Sequence, residues 1–450
     1  MEVTLVEMLD ARERRAARQR QLMAQYGKTM LCFTMNIAGP VKNGPLISRG
    51  FDLGKRLLEQ QLMAVNAEIL HFEEIRERTG SEAIYLLRCD PLTAKSAAVT
   101  IEDHTEAGRL FDMDVLRPDG RKVERQELNL EPRKCLICGG PAQNCARSRR
   151  HTVPQLQERT RVMLETAVTR FESRRIAQLA CRALLYEVAA TPKPGLVDRA
   201  NSGSHKDMDF FSFQASAAAL WPYFEACAKI GMETRQLAPT ETFSALRAPG
   251  KLAEGEMLRA TGGVNTHKGA IFSLGILCGA AGRLDDRSPE ALLAECGRMA
   301  AGVTDQDFAG LTEETAVTAG QKLYLRHGIT GVRGQAEAGF PAVLQVGLPR
   351  LEAGLKQGLS LNDAGCAALL AMLAHTVDTN LIARSDYATQ QRVASETAKL
   401  LKAGPFPDET VLKQMDAAFI EKNLSPGGSA DLLALTYFLY LLQEDAYVSE

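Results

Sequence analysis

The sequence predicts two unequal domains of different class: an α+β domain over residues 1–165, then an all-α helical bundle over residues 166–450. Three observations carry this reading. A chain of 450 residues exceeds the roughly 150 of a typical single domain. Strand-like runs fall in the first part only. Beyond about residue 165, Ala/Leu-rich segments with helical spacing follow one another.

In chain order, Met30–Ile37 and Ala83–Cys89 are short apolar runs that read as strands. Leu53–Arg78 has a helical pattern stopped by Thr79-Gly80. Leu110–Leu116 alternates apolar and acidic residues, the period of a half-buried strand. Val162–Val188 reads as one helix that connects the domains. Phe210–Gly231, Gly269–Arg283, Pro289–Met299, Leu361–Leu381 and Asp431–Leu442 read as bundle helices, apolar nearly all round. Polar loops separate them.

Composition narrows the function classes. Hydrophobic residues make up 45% and charged residues 24%, which excludes a disordered or collagen-like chain. Lys+Arg 53 against Asp+Glu 55 leaves −2, so no global charge draws the chain to nucleic acid or membrane. Locally the balance differs: residues 117–161 hold 11 Lys/Arg against 5 Asp/Glu. The N-terminus has no apolar core with a small-residue cleavage site, and Gly269–Gly282 is too short to span a bilayer. Ten Cys are too sparse for a disulfide framework, and seven of them read as scattered reduced thiols. A cytoplasmic location is expected.

Two motifs stand out before residue 165. Asp112 and Asp114 lie two apart in a strand pattern and project from one face. Adjacent carboxylates repel unless a cation sits between them, and nucleotidyltransferases hold Mg²⁺ on a polyphosphate in this way. The competing reading is a solvated acidic edge. The second motif is Cys135, Cys138, Cys145 and His151, four soft ligands that start with zinc-knuckle spacing and sit among Arg133, Lys134, Arg147, Arg149 and Arg150. It could be a structural Zn²⁺ site or three reduced thiols in a turn-rich segment. The basic residues suit polyphosphate or an acidic protein. Aromatic residues for base stacking are absent, which argues against nucleic acid.

The stretches NIAGPVKN (Asn36–Asn43), Glu82–Leu116 and RKCLICGGPAQNCARSRRH (Arg133–His151) resemble the apo-citrate lyase phosphoribosyl-dephospho-CoA transferase family. The resemblance implies a nucleotidyltransferase-like domain of the holo-citrate lyase synthase type. It also implies transfer to a serine of the apo-citrate lyase acyl carrier (gamma) subunit, with release of pyrophosphate. On that reading Asp112 and Asp114 are catalytic and bind Mg²⁺, and Arg109 holds triphosphate.

Four polar loops interrupt the second part. Thr191–Asp209 carries Lys193, Asp198, His205, Asp207 and Asp209, and its prolines and glycine break helix. Gly262–Gly269 precedes an apolar helix, whose first N–H groups with Lys268 would cradle phosphate. Gly331–Gly339 is glycine-rich, and Asn423–Asp431 ends in an expected N-cap. His375 and Asp378 lie three apart and are expected on one face of one helix.

The same four loops resemble the triphosphoribosyl-dephospho-CoA synthase family. That resemblance implies ATP and 3′-dephospho-CoA as substrates, with adenine displaced by the 2′-hydroxyl of dephospho-CoA. It marks Asp198, His205, Asp207 and Asp209 as catalytic. Lys193, Asn265, His267, Lys268, Arg333 and Glu337 would bind nucleotide, and Asp207, Asp209 and Asp378 would hold Mg²⁺. The chain is thus expected to be a bifunctional transferase that makes and attaches the citrate lyase prosthetic group. The parallel pathway of malonate decarboxylase, and a zinc-knuckle RNA-binding or assembly module, are the alternatives.

Overall fold

The structure, a computed structural model, describes residues 2–447. It divides into two units, Met1–Phe171 and Glu172–Glu450.

In the first unit, helix α1 (Leu5–Tyr26) begins at a capping box between Thr4 and Glu7 and ends at Gly27, with φ +55°. Strands β1 (Thr29–Met35), β2 (Glu68–Glu77), β3 (Gly80–Arg88) and β4 (Phe111–Leu116) form an antiparallel sheet in the order β2-β3-β1-β4. Helices α2 (Pro45–Ala64) and α3 (Pro91–His104), with Leu164 and Ala167 of α5 (Val153–Ala189), bury one sheet face around Phe33, Phe51, Tyr85 and Phe111. On the other face Leu22 of α1 packs against Met30, Cys32, Ile84 and Leu86. A short helix, α4 (Ala142–Arg147), precedes α5.

One expectation fails here. Leu53–Arg78 is not a single helix: α2 ends at Ala64, Asn66 takes φ +54°, and β2 follows. The charges that gave β2 a helical look face α1 instead. Arg14 and Arg18 pair with Glu77 and Glu73 of β2, and Arg15 pairs with Glu82 of the adjacent β3. Tertiary pairing overrides the local pattern.

Every regular element described in the second unit is helical. After α5 come α6 (Phe210–Ala219), α7 (Trp221–Glu233), α8 (Pro239–Ala260), α9 (Lys268–Arg283), α10 (Pro289–Met299), α11 (Val303–Phe308) and α12 (Ala319–His327). The rest are α13 (Gly331–Glu337), α14 (Leu348–Lys356), α15 (Leu361–His375), α16 (Thr379–Arg384), α17 (Tyr387–Ala403), α18 (Glu409–Glu421) and α19 (Gly427–Tyr447). The apolar faces of α7, α9, α10, α15 and α19 share one core. Helices α7 and α9 touch through glycine. A methyl on Gly231 would lie 2.1 Å from the Gly279 carbonyl, and one on Gly282 2.1 Å from the Ala228 carbonyl. No described helix is long and apolar enough to cross a membrane.

Four further boundaries differ from expectation. Phe210–Gly231 splits at Leu220, because Pro222 lacks the N–H that a continuous helix needs. Leu361–Leu381 ends at His375, and Asp378 caps the next helix, so the two do not share a helical face. Gly331–Gly339 is mostly helix rather than loop. Helix α19 starts at Gly427, which puts Asp431 in its first turns and not at its cap.

Candidate active sites

In the first unit the chemistry gathers on β4, an edge strand. Phe111, Met113 and Val115 are buried, and Asp112 and Asp114 project half-buried from the opposite face. The backbone between the aspartates is held from outside the sheet. The buried Glu102 accepts the Met113 N–H at 3.0 Å, and the buried Lys95 donates to the Met113 carbonyl at 3.0 Å. Side chains of α3 thus satisfy the free strand edge. Burial pushes Glu102 up despite Arg133 and Lys95, and pushes Lys95 down.

Asp114 pairs with Lys122 at 2.6 Å. Asp112 lies 3.5 Å from Arg133 and lines a cleft of about 140 Å³ with Arg12, Arg15, Thr34, Asn36 and Lys42. Lys42 donates to the Ile37 carbonyl at 2.5 Å, and burial with the nearby Arg12 lowers its pKa. Sequence reasoning missed Arg12, Arg15 and Lys42. The arginines sit on a helix nearly 100 residues from Asp112 in the chain, among many other arginines. Arg109 donates to the Lys134 carbonyl, while its Nε and Nη1 are enclosed without an acceptor.

The ligand atoms of Cys135, Cys138, Cys145 and His151 lie within 4.8 Å of one another. Cys138 and Cys145 sulfurs are 3.5 Å apart and unbonded. Burial raises the Cys135 thiol, but the N–H groups of Cys138 and Ile137 and the neighbouring thiols bring it below the ordinary value. Cys138 pushes Cys145 up to about 11. His151 Nε2 is enclosed without a hydrogen-bond partner.

In the second unit, three of the four predicted loops, those of Lys193, Gly269 and Ser429, meet around a buried ionic centre. Lys193 pairs with Glu187, and both are almost fully buried. Asp431 accepts the Ala270 N–H at the start of α9. Its carboxylate sits so close that a Cβ on Gly269 would lie 1.9 Å from it. The helix start that resembled a phosphate cradle therefore faces a carboxylate. Asp378 accepts from the Ser429 N–H at 2.7 Å, the Ser429 hydroxyl at 2.9 Å, and the N–H groups of Asn380 and Leu381. Burial pushes Glu187, Asp378 and Asp431 upward, and Asp431 also feels the other two carboxylates.

His267 is 3% exposed. Its Nδ1 meets the Ser216 hydroxyl at 2.7 Å, and its Nε2 has no partner. Burial and Lys193 push it down to about 3. His205 meets the Ser425 hydroxyl at 2.9 Å and Arg384 at 3.0 Å, and burial with Arg384 pushes it down to about 4. Both imidazoles are neutral near pH 7.

Other expected residues serve the scaffold. Buried Asp198 accepts from Thr191, Lys193 N–H, Ala200 N–H and Asn201 N–H, which closes its own loop. Asp209 caps α6, and Asp207 is exposed. Asp207, Asp209 and Asp378 are not gathered at coordination distance; among the described residues only the Cys/His group is. Exposed tips and caps reach outward, and Asp378 is saturated by N–H groups. Asn265 accepts the Lys268 N–H, and Lys268 pairs with Glu254 at 2.8 Å. Arg333 pairs with Asp307 at 2.7 Å. Glu337 accepts from Thr304 and from the Gly302 N–H, which lowers its pKa. Sequence reasoning misses Glu187, which lies within a helical pattern, and Ser425, Ser429 and Asp431, which lie in the Asn423–Asp431 loop and read there as loop and cap.

Residues 3–167 match the family of CitX, apo-citrate lyase phosphoribosyl-dephospho-CoA transferase. Residues 173–449 match the family of CitG, ATP:dephospho-CoA triphosphoribosyl transferase. The chain is 36% identical to Protein CitXG of Haemophilus influenzae, over 97% of this chain and 96% of that one. It is 32% identical to Protein CitXG of Leuconostoc mesenteroides subsp. cremoris, over 97% of each. It is 45% identical to 2-(5''-triphosphoribosyl)-3'-dephosphocoenzyme-A synthase of Pectobacterium atrosepticum, over 59% of this chain and 88% of that one. With both domains present and end-to-end similarity to two fused relatives, the chain belongs to the CitXG family, a bifunctional transferase that makes and attaches the citrate lyase prosthetic group.

Proposed function

We propose that each unit carries one of the two reactions, with the β4 cleft as the transfer site and the Lys193–Glu187–Asp431 centre as the synthase site. The observation that carries this is the separation itself. Each unit holds a converging centre of charged side chains, and each unit coincides with one family match.

In the second unit, the 2′-hydroxyl of 3′-dephospho-CoA forms a bond to the ribose C1′ of ATP as the bond to adenine breaks, and the proton lost by the hydroxyl leaves on the adenine. Positive charge develops on the sugar, and that charge favours the ionised form of Asp431 which burial, Glu187 and Asp378 oppose, so the carboxylate stabilises the sugar as the charge forms. Lys193 offsets the clustered carboxylates and meets phosphate. Neutral His267, with Nε2 open, is a hydrogen-bond partner for the purine rather than an acid.

In the first unit, a nucleotidyltransferase-like site, a serine hydroxyl of the apo-citrate lyase acyl carrier subunit attacks the α-phosphorus of the product. Pyrophosphate leaves and phosphoribosyl-dephospho-CoA stays on the serine. Arg12, Arg15 and Lys42 meet the triphosphate, and Asp112 takes the serine proton. Two half-exposed carboxylates on one strand face fit a divalent cation, and Mg²⁺ held by Asp112 and Asp114 would neutralise the leaving pyrophosphate. The donor set of Cys135, Cys138, Cys145 and His151 fits a structural Zn²⁺. A cytoplasmic location accords with reduced thiols.

Asp112→Asn should abolish carrier modification while adenine release from ATP continues. Asp431→Asn should abolish adenine release while added triphosphoribosyl-dephospho-CoA is still transferred. Mass spectrometry of the carrier and chromatography of adenine read both. Loss of both activities in either variant would overturn the division.

A further inference from the structure

The segment that holds the cysteine cluster lacks the usual means of keeping a shape. None of residues 131–150 is buried, and α4 has no buried residue. Yet its backbone is tightly folded. The Cys135 N–H reaches the Gly140 carbonyl at 2.7 Å, the Ala142 N–H reaches the Arg133 carbonyl at 3.1 Å, and Lys134 bridges Pro141. Four soft ligand atoms converge inside it. Sulfurs 3.5 Å apart are too distant for a disulfide and close to the about 3.8 Å edge of a tetrahedron with about 2.3 Å zinc–sulfur bonds.

The same turn carries the contacts that reach β4. Arg133 donates to the Phe111 carbonyl and lies 3.4 Å from Glu102 and 3.5 Å from Asp112. Lys134 offers its carbonyl to Arg109, and Leu136 offers its carbonyl to Arg159 at 3.4 Å. Arg109 and Arg133 keep enclosed guanidinium nitrogens without an acceptor, which is the arrangement an anion completes. We propose that a zinc ion on Cys135, Cys138, Cys145 and His151 is the clamp that holds Arg133 beside Asp112 and Arg109 against the same turn, where they bind the triphosphate of the donor. Arg133 lies two residues before Cys135 and shares its ladder, so loss of the metal frees the arginine. The inference rests on the zinc reading above, and the test separates the two.

The test uses the full chain. Zinc content is measured by mass spectrometry, donor KM and kcat for carrier modification are measured with added triphosphoribosyl-dephospho-CoA, and adenine release serves as a fold control. Wild type should carry one zinc per chain. Cys138→Ser should lose it and raise donor KM at least tenfold, with adenine release unchanged. Cys138→His should restore both zinc and KM. Arg133→Gln should keep zinc and reproduce the KM rise, and adding it to Cys138→Ser should raise KM little further, as expected when both act through one contact. Absence of zinc from wild type would defeat the metal reading. Zinc in wild type, with an unchanged donor KM in zinc-free Cys138→Ser, would defeat the clamp alone.

Discussion

His267 shows how burial decides what a residue can do. Held at 3% exposure with Lys193 nearby, it resists protonation until about pH 3. The sign of its effect on stability follows. Above pH 6.5 neither the folded nor the unfolded chain protonates it. As pH falls below 6.5, the unfolded chain takes a proton that the folded chain refuses, so the folded state loses stability down to about pH 3. Glu187, Asp378 and Asp431 titrate upward in the folded state and act in the opposite direction, but they are common to wild type and variant. His267→Gln should therefore be less stable than wild type at pH 7.5, and the gap in Tm should narrow steadily toward pH 4.5. Thermal unfolding at several pH values checks this. A constant gap would mean that the imidazole is not buried as neutral. The same depression predicts that adenine release has no His267 limb between pH 6 and 7.

Among elements, the α7–α9 pair makes the most exacting contact. Gly231 and Gly282 let two backbones touch where any side chain would meet a carbonyl at 2.1 Å. Gly282→Ala must push the helices apart, and overpacking of this kind costs about 1–3 kcal/mol. Urea unfolding should show that loss in the second unit, while donor-dependent carrier modification in the first remains. Elements such as β4 and α9 were legible because one period governs each. Strand β2 was not, because its glutamates answer to arginines of α1 some 55–63 residues away in the chain. The site was legible in the same uneven way. Polar loops that break helices gave Lys193, His205 and His267. Glu187 sits inside a helix, where an apolar pattern hides a carboxylate until the helices are packed together, and Asp431 reads as a cap because α19 starts four residues earlier than its apolar pattern.

For the whole molecule, the two units have distinct cores. Phe33, Phe51 and Phe111 anchor the first, and Phe224, Leu274 and Phe438 belong to the second. A lesion at one polar centre therefore should not unfold the other. The near-neutral total of −2 conceals the same partition, since the basic stretch 117–161 belongs wholly to the first unit. With the reactions divided as proposed, product made by one molecule should be usable by another through solution. Full-length Asp112→Asn, which retains the synthase centre, mixed with full-length Asp431→Asn, which retains the transfer centre, should restore carrier modification from ATP and 3′-dephospho-CoA. The mixture should show a lag while the shared intermediate accumulates, and added intermediate should shorten it. Either variant alone should leave the carrier unmodified. If the mixture also leaves it unmodified, while Asp431→Asn still uses added intermediate, the intermediate passes between sites of one chain without release.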